Sequence, residues 1–152
     1  MKKLIVIAAA VALVILVGGA ACVLGGYFYH RRQVEAARDE GEKFGKTTDQ
    51  RGCLQESLRR LREQGRDTFL QRYHRALTHD FTGGCFQTSE ETKDFCSGVP
   101  RPEEFTAGLN WRVRQCELAG LDDGSCTNVM WDVIKECGKT PLPTVSYPEG
   151  RR

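Results

Sequence analysis

The stretch Cys126-Thr-Asn-Val-Met-Trp-Asp-Val-Ile-Lys-Glu-Cys137 is the most informative part of the sequence for the fold. Its apolar residues recur every three or four positions, which predicts an α-helix with one buried face; Ser125 is the predicted N-cap and Gly138 the stop signal. The two cysteines are eleven residues apart, about 16 Å along a helix axis, whereas disulfide-linked Cα atoms lie within about 7 Å of each other. Each must therefore pair with a cysteine elsewhere.

The chain has seven cysteines, of which six follow the N-terminal region: Cys53, Cys85, Cys96, Cys116, Cys126 and Cys137. An even number in a small domain behind an export-type N-terminus predicts a disulfide framework, and the alternative is six reduced thiols in a cytosolic domain. Cys116 and Cys126 flank a short turn, which predicts one bridge. A local loop predicts Cys85 with Cys96, and Cys53 then remains for Cys137.

The spacing of apolar residues predicts two further long helices. The first begins after Thr48, kinks or packs closely at Gly65 and ends at Asp80–Gly84. The second begins at Pro102, and we expect Phe105, Leu109, Val113 and Cys116 on its inner face. The predicted fold class is all-α, a small disulfide-stapled bundle of three to four helices over residues 48–139, following one N-terminal transmembrane helix.

The segment Leu4–Tyr29 holds about 26 residues without a charge, and a bilayer core needs about 20 residues of helix. Tyr27, Phe28 and Tyr29 resemble an aromatic belt at the water interface. We therefore predict a retained transmembrane signal-anchor over residues 1–29. A cleaved signal peptide, or a lipoprotein acylated at Cys22, is the alternative. The small residues Gly18, Cys22 and Gly26 lie on one helix face, so a homodimer through this helix is a further candidate.

Flanking charges do not decide the orientation, but disulfides require an oxidising compartment. The prediction is a single-pass protein of a bacterial inner membrane with its C-terminal domain in the periplasm. Residues 30–47 are highly charged and are interpreted as a juxtamembrane tether in which glycines break any helix; residues 140–152 form an extended, proline-containing tail.

Motifs of catalysis and cofactor binding are absent from the sequence. No two cysteines are closer than ten residues, which argues against zinc, haem and redox Cys-x-x-Cys sites. His74 and His79 fall on different faces of their helix. After Lys2 and Lys3 the chain has 20 basic and 20 acidic residues. It therefore lacks the excess of positive charge that is typical of nucleic-acid-binding proteins. We therefore expect no enzyme activity, no cofactor, no metal and no nucleic-acid partner.

The remaining hypothesis is a non-enzymatic envelope protein whose domain is a protein-interaction or structural module. The residues predicted to contact a protein partner are Arg59, Arg62 and Arg66 on one helix face, together with Trp131. The alternative for the arginines is a solvated face paired with Glu56, Glu63 and Asp67. The alternative function is a helical module that binds a small apolar ligand or lipid, which requires an apolar cavity of a few hundred Å³.

Overall fold

The computed structural model describes residues 2–65, 68–121 and 123–139, with side chains from residue 15 onward. Within this part of the chain there are five helices: α1 (Lys2–Gly45), α2 (Gln50–Glu63), α3 (Phe69–Thr88), α4 (Phe105–Leu118) and α5 (Gly124–Gly138). The predicted all-α, disulfide-stapled bundle is confirmed, with four helices after the first. Arg66 and the predicted tail 140–152 lie outside the described residues.

The first helix continues from Lys2 to Gly45 without interruption. Among the described residues, no helix meets the combined length and apolarity that crossing a membrane requires. The N-terminal span and the homodimer through Gly18, Cys22 and Gly26 therefore stay predictions.

The second half of α1 packs along α3, and glycines set the distance between the two helices. A Cβ atom on Gly41 would overlap the Phe81 carbonyl oxygen, and one on Gly84 would overlap the Arg38 carbonyl oxygen. The prediction that glycines break the helix in residues 30–47 is wrong. These glycines remove side chains at a close helix contact, which compensates for their low helix propensity.

The predicted first long helix is two helices. Gln64 has an extended backbone and ends α2. Thr68 then caps α3, accepting a hydrogen bond from the Gln71 amide while the Gln71 side chain bonds back to the Thr68 amide. This reciprocal capping box satisfies amides that a continuous helix would have bonded internally, so it stabilises a restart. The predicted end at Gly83-Gly84 is also wrong, because α3 continues to Thr88.

The core confirms the buried face predicted for α5. Val129, Val133 and Ile134 are almost fully buried. Val129 and Val133 belong to one core cluster with Phe81 of α3 and Leu61 of α2. The helix starts two positions earlier than predicted: Asp123 is the N-cap, and its carboxylate accepts hydrogen bonds from the amides of Ser125 and Cys126. Aspartate at this position also favours the positive end of the helix dipole.

The predicted inner face of α4 is largely wrong. Phe105 is 72% exposed, and Leu109 and Val113 are each 43% exposed. The buried positions are Gly108 and Cys116. A Cβ on Gly108 would touch the Ile134 side chain, so the small residue, rather than the larger apolar ones, faces α5.

Three disulfides staple the bundle, and one of the three predicted pairings is confirmed. Cys116 pairs with Cys126 across the α4–α5 turn. The other two predicted pairings are wrong, because the bridges are Cys53–Cys85 and Cys96–Cys137. The reason is the length of α3: Cys85 lies in that helix, buried against α2, instead of in a loop beside Cys96. Among the described cysteines, only Cys22 is free, and it is exposed.

Candidate interaction site

The arginine face predicted on α2 divides into residues with different surroundings. Arg59 forms ion pairs with Glu56 and Glu63 on its own helix. Its hydrogen bond to Glu56 is the main cause of the lowered pKa of that carboxyl group. Arg59 therefore matches the alternative reading of a solvated, internally paired face. Arg66, the third predicted residue, lies outside the described part of the chain.

Arg60, which we did not predict from the sequence as a contact residue, lies between three helices. Its guanidinium bonds Glu40 of α1 and Glu56 of α2 and lies 3.7 Å from the centroid of the Phe81 ring. A half-buried cation over an aromatic face contributes about 0.5–2 kcal/mol beyond the ion pairs. Arg60 thus joins α1, α2 and α3 and is not available to a partner.

Arg62 instead lies at the edge of an apolar groove formed by α2, α4, α5 and the segment 95–99. The groove has a volume of about 470 Å³ and is open to solvent. Its apolar walls come from each of these elements: Leu54 and Leu58 of α2, Phe95 and Val99 of the segment, Trp111 and Leu118 of α4 with its C-cap Ala119, and Met130 and Val133 of α5. These residues are distant from one another in sequence, so the periodicity of apolar residues within each helix does not predict that they meet.

The charge at the groove has one sign. Arg51 and Arg62 are the charged side chains among the described residues that line it, and no carboxylate is among them. Both arginines are exposed. Arg51 is oriented by a 3.5 Å hydrogen bond from its guanidinium to the Lys93 carbonyl oxygen. The groove therefore combines an apolar surface with two guanidinium groups, which bind carboxylates well.

Trp131, the fourth predicted contact residue, does not line this groove. It is half-buried, and the Arg112 guanidinium lies 5.1 Å from its ring centroid. The tryptophan in the groove is Trp111. Of the four predicted contact residues, the structure brings only Arg62 to the groove, and the remaining described ones lie elsewhere.

His79 of α3 contacts Asp132 of α5 and also its own neighbour Asp80. Nδ1 of His79 lies 3.3 Å from the buried Asp132 carboxylate, and Lys135 lies 2.5 Å from the same group. The hydrogen bond to Asp132 raises the pKa of His79, and burial raises the pKa of Asp80. Among the described residues, no three side chains of metal-ligating type converge on one point. The cluster links α3 to α5.

The groove is thus a described feature with the chemistry of a binding site. It offers apolar surface for burial and guanidinium groups for orientation. Arg59, Arg60 and His79, in contrast, are paired with carboxylates of the domain itself. In comparisons with known proteins, neither a family model nor a curated protein nor a solved structure matches this chain.

Proposed function

We propose that this chain is a membrane-anchored, extracytoplasmic interaction module whose helical domain binds a protein segment in the groove between α2 and α4. The partner segment is an amphipathic helix that carries apolar residues on one face and carboxylates beside them. The role is non-enzymatic, and the compartment is the periplasm of a bacterial cell.

The groove is the single observation that carries this proposal. Helix-in-groove recognition places apolar anchors in a hydrophobic channel, and flanking charges set the orientation. Leu54, Leu58 and Trp111 supply the apolar surface, and Arg51 and Arg62 select for acidic side chains. An open groove suits an extended partner, which leaves its polar face in water.

The location is supported by the sequence and the cysteines. About 26 uncharged residues follow Lys2-Lys3, which is long enough for a retained anchor. Six cysteines joined as three bridges suit an oxidising compartment.

The two exposed residues at the opposite ends of α4 give a matched test of the groove. A photo-crosslinking amino acid replaces Leu118, which lines the groove and is 73% exposed, or Phe105, which lies outside it and is 72% exposed. In the native membrane we expect a discrete protein adduct from position 118 only. Mass spectrometry of the adduct should identify a segment that contains both apolar and acidic residues.

Charge reversal provides the second half of the test. Arg62→Glu should abolish the adduct at position 118, whereas Arg114→Glu, on an exposed residue outside the groove, should leave it. Equal adducts from positions 118 and 105, or insensitivity to Arg62→Glu, would show that the groove is not the docking site.

The same groove supports a second candidate, a small apolar ligand with an acidic head. The volume of about 470 Å³ is within the range of small-molecule sites. Such sites bury most of the ligand surface, however, and this groove is open. A lipid-sized mass increment at position 118, instead of a protein adduct, would favour this candidate.

A further inference from the structure

Helices α1 and α3 run parallel in a nearly constant register. Nδ1 of His30 lies 2.9 Å from the Tyr73 hydroxyl, a sequence separation of 43. About three to four turns further on, the Thr88 hydroxyl donates to the Glu42 carbonyl oxygen at 2.7 Å, a separation of 46. The glycine contacts of Gly41 and Gly84 lie between these two points. Positions on α3 can therefore be matched to positions on α1.

This register places the start of α3 level with the end of the apolar run. Phe69 and Leu70 lie about one turn before Tyr73, as Gly26 and Tyr27 lie about one turn before His30. Phe69 is 79% exposed and Leu70 is 58% exposed. Both side chains are therefore largely open to solvent, at the same level along the two helices as the aromatic residues that end the apolar run.

The charges at this end of the domain are basic. The described segments 26–34 and 68–79 contain no aspartate or glutamate, and they expose Arg31, Arg32 and Arg72. Arg31 pairs with Glu35 one turn further along α1. Apolar side chains beside exposed arginines match the boundary between acyl chains and anionic headgroups.

We propose that Phe69 and Leu70 insert into the membrane interface, so that α3 is a second contact of the domain with the bilayer beside the α1 anchor. This inference rests on the proposed anchor. Because the register puts Phe69 and Leu70 level with the end of the apolar run of α1, a bilayer that holds this run is within reach of both side chains. The domain then stands at a fixed orientation on the membrane, because two helices instead of one meet the surface.

Depth-dependent fluorescence quenching tests the inference on the full chain. An environment-sensitive fluorescent amino acid replaces Leu24, Leu70 or Leu109, and each protein is reconstituted into vesicles of phosphatidylethanolamine and phosphatidylglycerol. Lipids brominated at different acyl positions serve as quenchers. We expect deep quenching at position 24, shallow quenching with a blue shift at position 70, and no quenching at position 109. Leu109 is the matched control because it is an exposed leucine on α4.

The outcomes separate the inference from the anchor on which it rests. Quenching at position 24 without quenching at position 70 overturns the second contact and leaves the anchor in place. No quenching at position 24 overturns the anchor itself. Phe69→Glu should remove the blue shift of the probe at position 70, whereas Phe105→Glu should not. A blue shift that survives Phe69→Glu would also contradict the inference.

Discussion

Arg75 is a buried cation at the meeting point of three helices. Its side chain is 2% exposed, and its guanidinium donates to the carbonyl oxygens of Leu61 and Gln64 and to the Asp123 carboxylate. It therefore satisfies carbonyl groups that the end of α2 leaves free, and it holds the residue that caps α5. Helix ends need such partners when they are buried.

Replacing this cation should be costly. We expect Arg75→Met to lower the free energy of unfolding by about 3 kcal/mol, because the partly buried Asp123 carboxylate and two carbonyl groups lose their partner. Asp123→Asn should cost less, since asparagine still caps α5. Urea unfolding with the disulfides intact measures both. A loss below about 1 kcal/mol for Arg75→Met would mean that water replaces the guanidinium without difficulty.

His79 predicts a pH dependence of stability. Its pKa is raised above 6.5, mainly by the hydrogen bond to Asp132 and despite burial and the nearby Lys135. The folded state therefore favours protonated His79. This stabilisation of the folded state is complete below the pKa that His79 has in the unfolded chain, and it is lost as the pH rises through the pKa of His79 in the folded protein. The His79 side chain is 41% exposed, so screening keeps the effect below about 1 kcal/mol.

The measurement compares unfolding free energies at about pH 5.5 and about pH 8, on either side of the histidine pKa. His79→Gln should flatten the decline with pH, whereas His74→Gln, at an exposed position on the same helix, should leave it. A decline that persists in His79→Gln would assign the dependence to another group.

Gly83 and Gly84 are adjacent in α3 and should respond oppositely to the same substitution. A Cβ on Gly84 would overlap the Arg38 carbonyl oxygen, whereas a Cβ on Gly83 meets nothing within 4 Å. Gly84→Ala should therefore destabilise by about 1–3 kcal/mol by forcing α1 and α3 apart. Gly83→Ala should stabilise by about 0.5–1 kcal/mol through helix propensity. The midpoints of thermal unfolding of both variants test this prediction. Equal shifts of the two midpoints would contradict the close contact between Gly84 and the Arg38 carbonyl oxygen.

This glycine pair shows how far the sequence predicts the elements. Local pattern identified the buried face of α5 and the Cys116–Cys126 turn, because both depend on neighbours in sequence. It read Gly83-Gly84 as a helix end, because local propensity cannot detect a second backbone at the same place. That single error moved Cys85 out of α3 and produced the two wrong pairings, Cys85–Cys96 and Cys53–Cys137.

The candidate site was less predictable than the fold. Helix spacing placed Arg59 and Arg62 together on one face, but Arg59 is paired with glutamates and only Arg62 reaches the groove. The groove exists because the segment carrying Phe95 and Val99 lies against α2 and α4. No periodic signal marks such a segment, since its position depends on the Cys96–Cys137 bridge.

The cysteines predict the outcome of one measurement on the intact protein. Alkylation without reductant should label one thiol, Cys22, because the other six cysteines are bridged. Intact mass from the native membrane reports the label and also whether residues 1–21 are retained. Labelling of six or seven thiols would place the domain in a reducing compartment and contradict the proposed topology.

The segment between α3 and α4 is held mainly at two points. Glu90 exchanges backbone hydrogen bonds with Thr48 and Gln50 at its start. Further along, Cys96 is bridged to Cys137 at the end of α5. Phe95, on the groove wall, also packs on Phe86 with ring centroids 5.7 Å apart. The Cys96–Cys137 disulfide therefore helps to hold Phe95 and Val99 at the wall of the proposed binding groove.

Removing this bridge should loosen the groove before it unfolds the helices. In Cys96→Ser/Cys137→Ser we expect faster hydrogen exchange at the Phe95, Ser97 and Val99 amides, which now bond within the turn, and a strongly reduced adduct at position 118. The loss of stability should reach at most about 4 kcal/mol, from the chain-entropy value for a loop of 41 residues. Cys22→Ser, which keeps all three bridges, should change none of these. Faster hydrogen exchange with an unchanged adduct at position 118 would exclude the segment 95–99 from the binding site. Unchanged exchange would show that packing around Phe95 holds this segment in place without the disulfide.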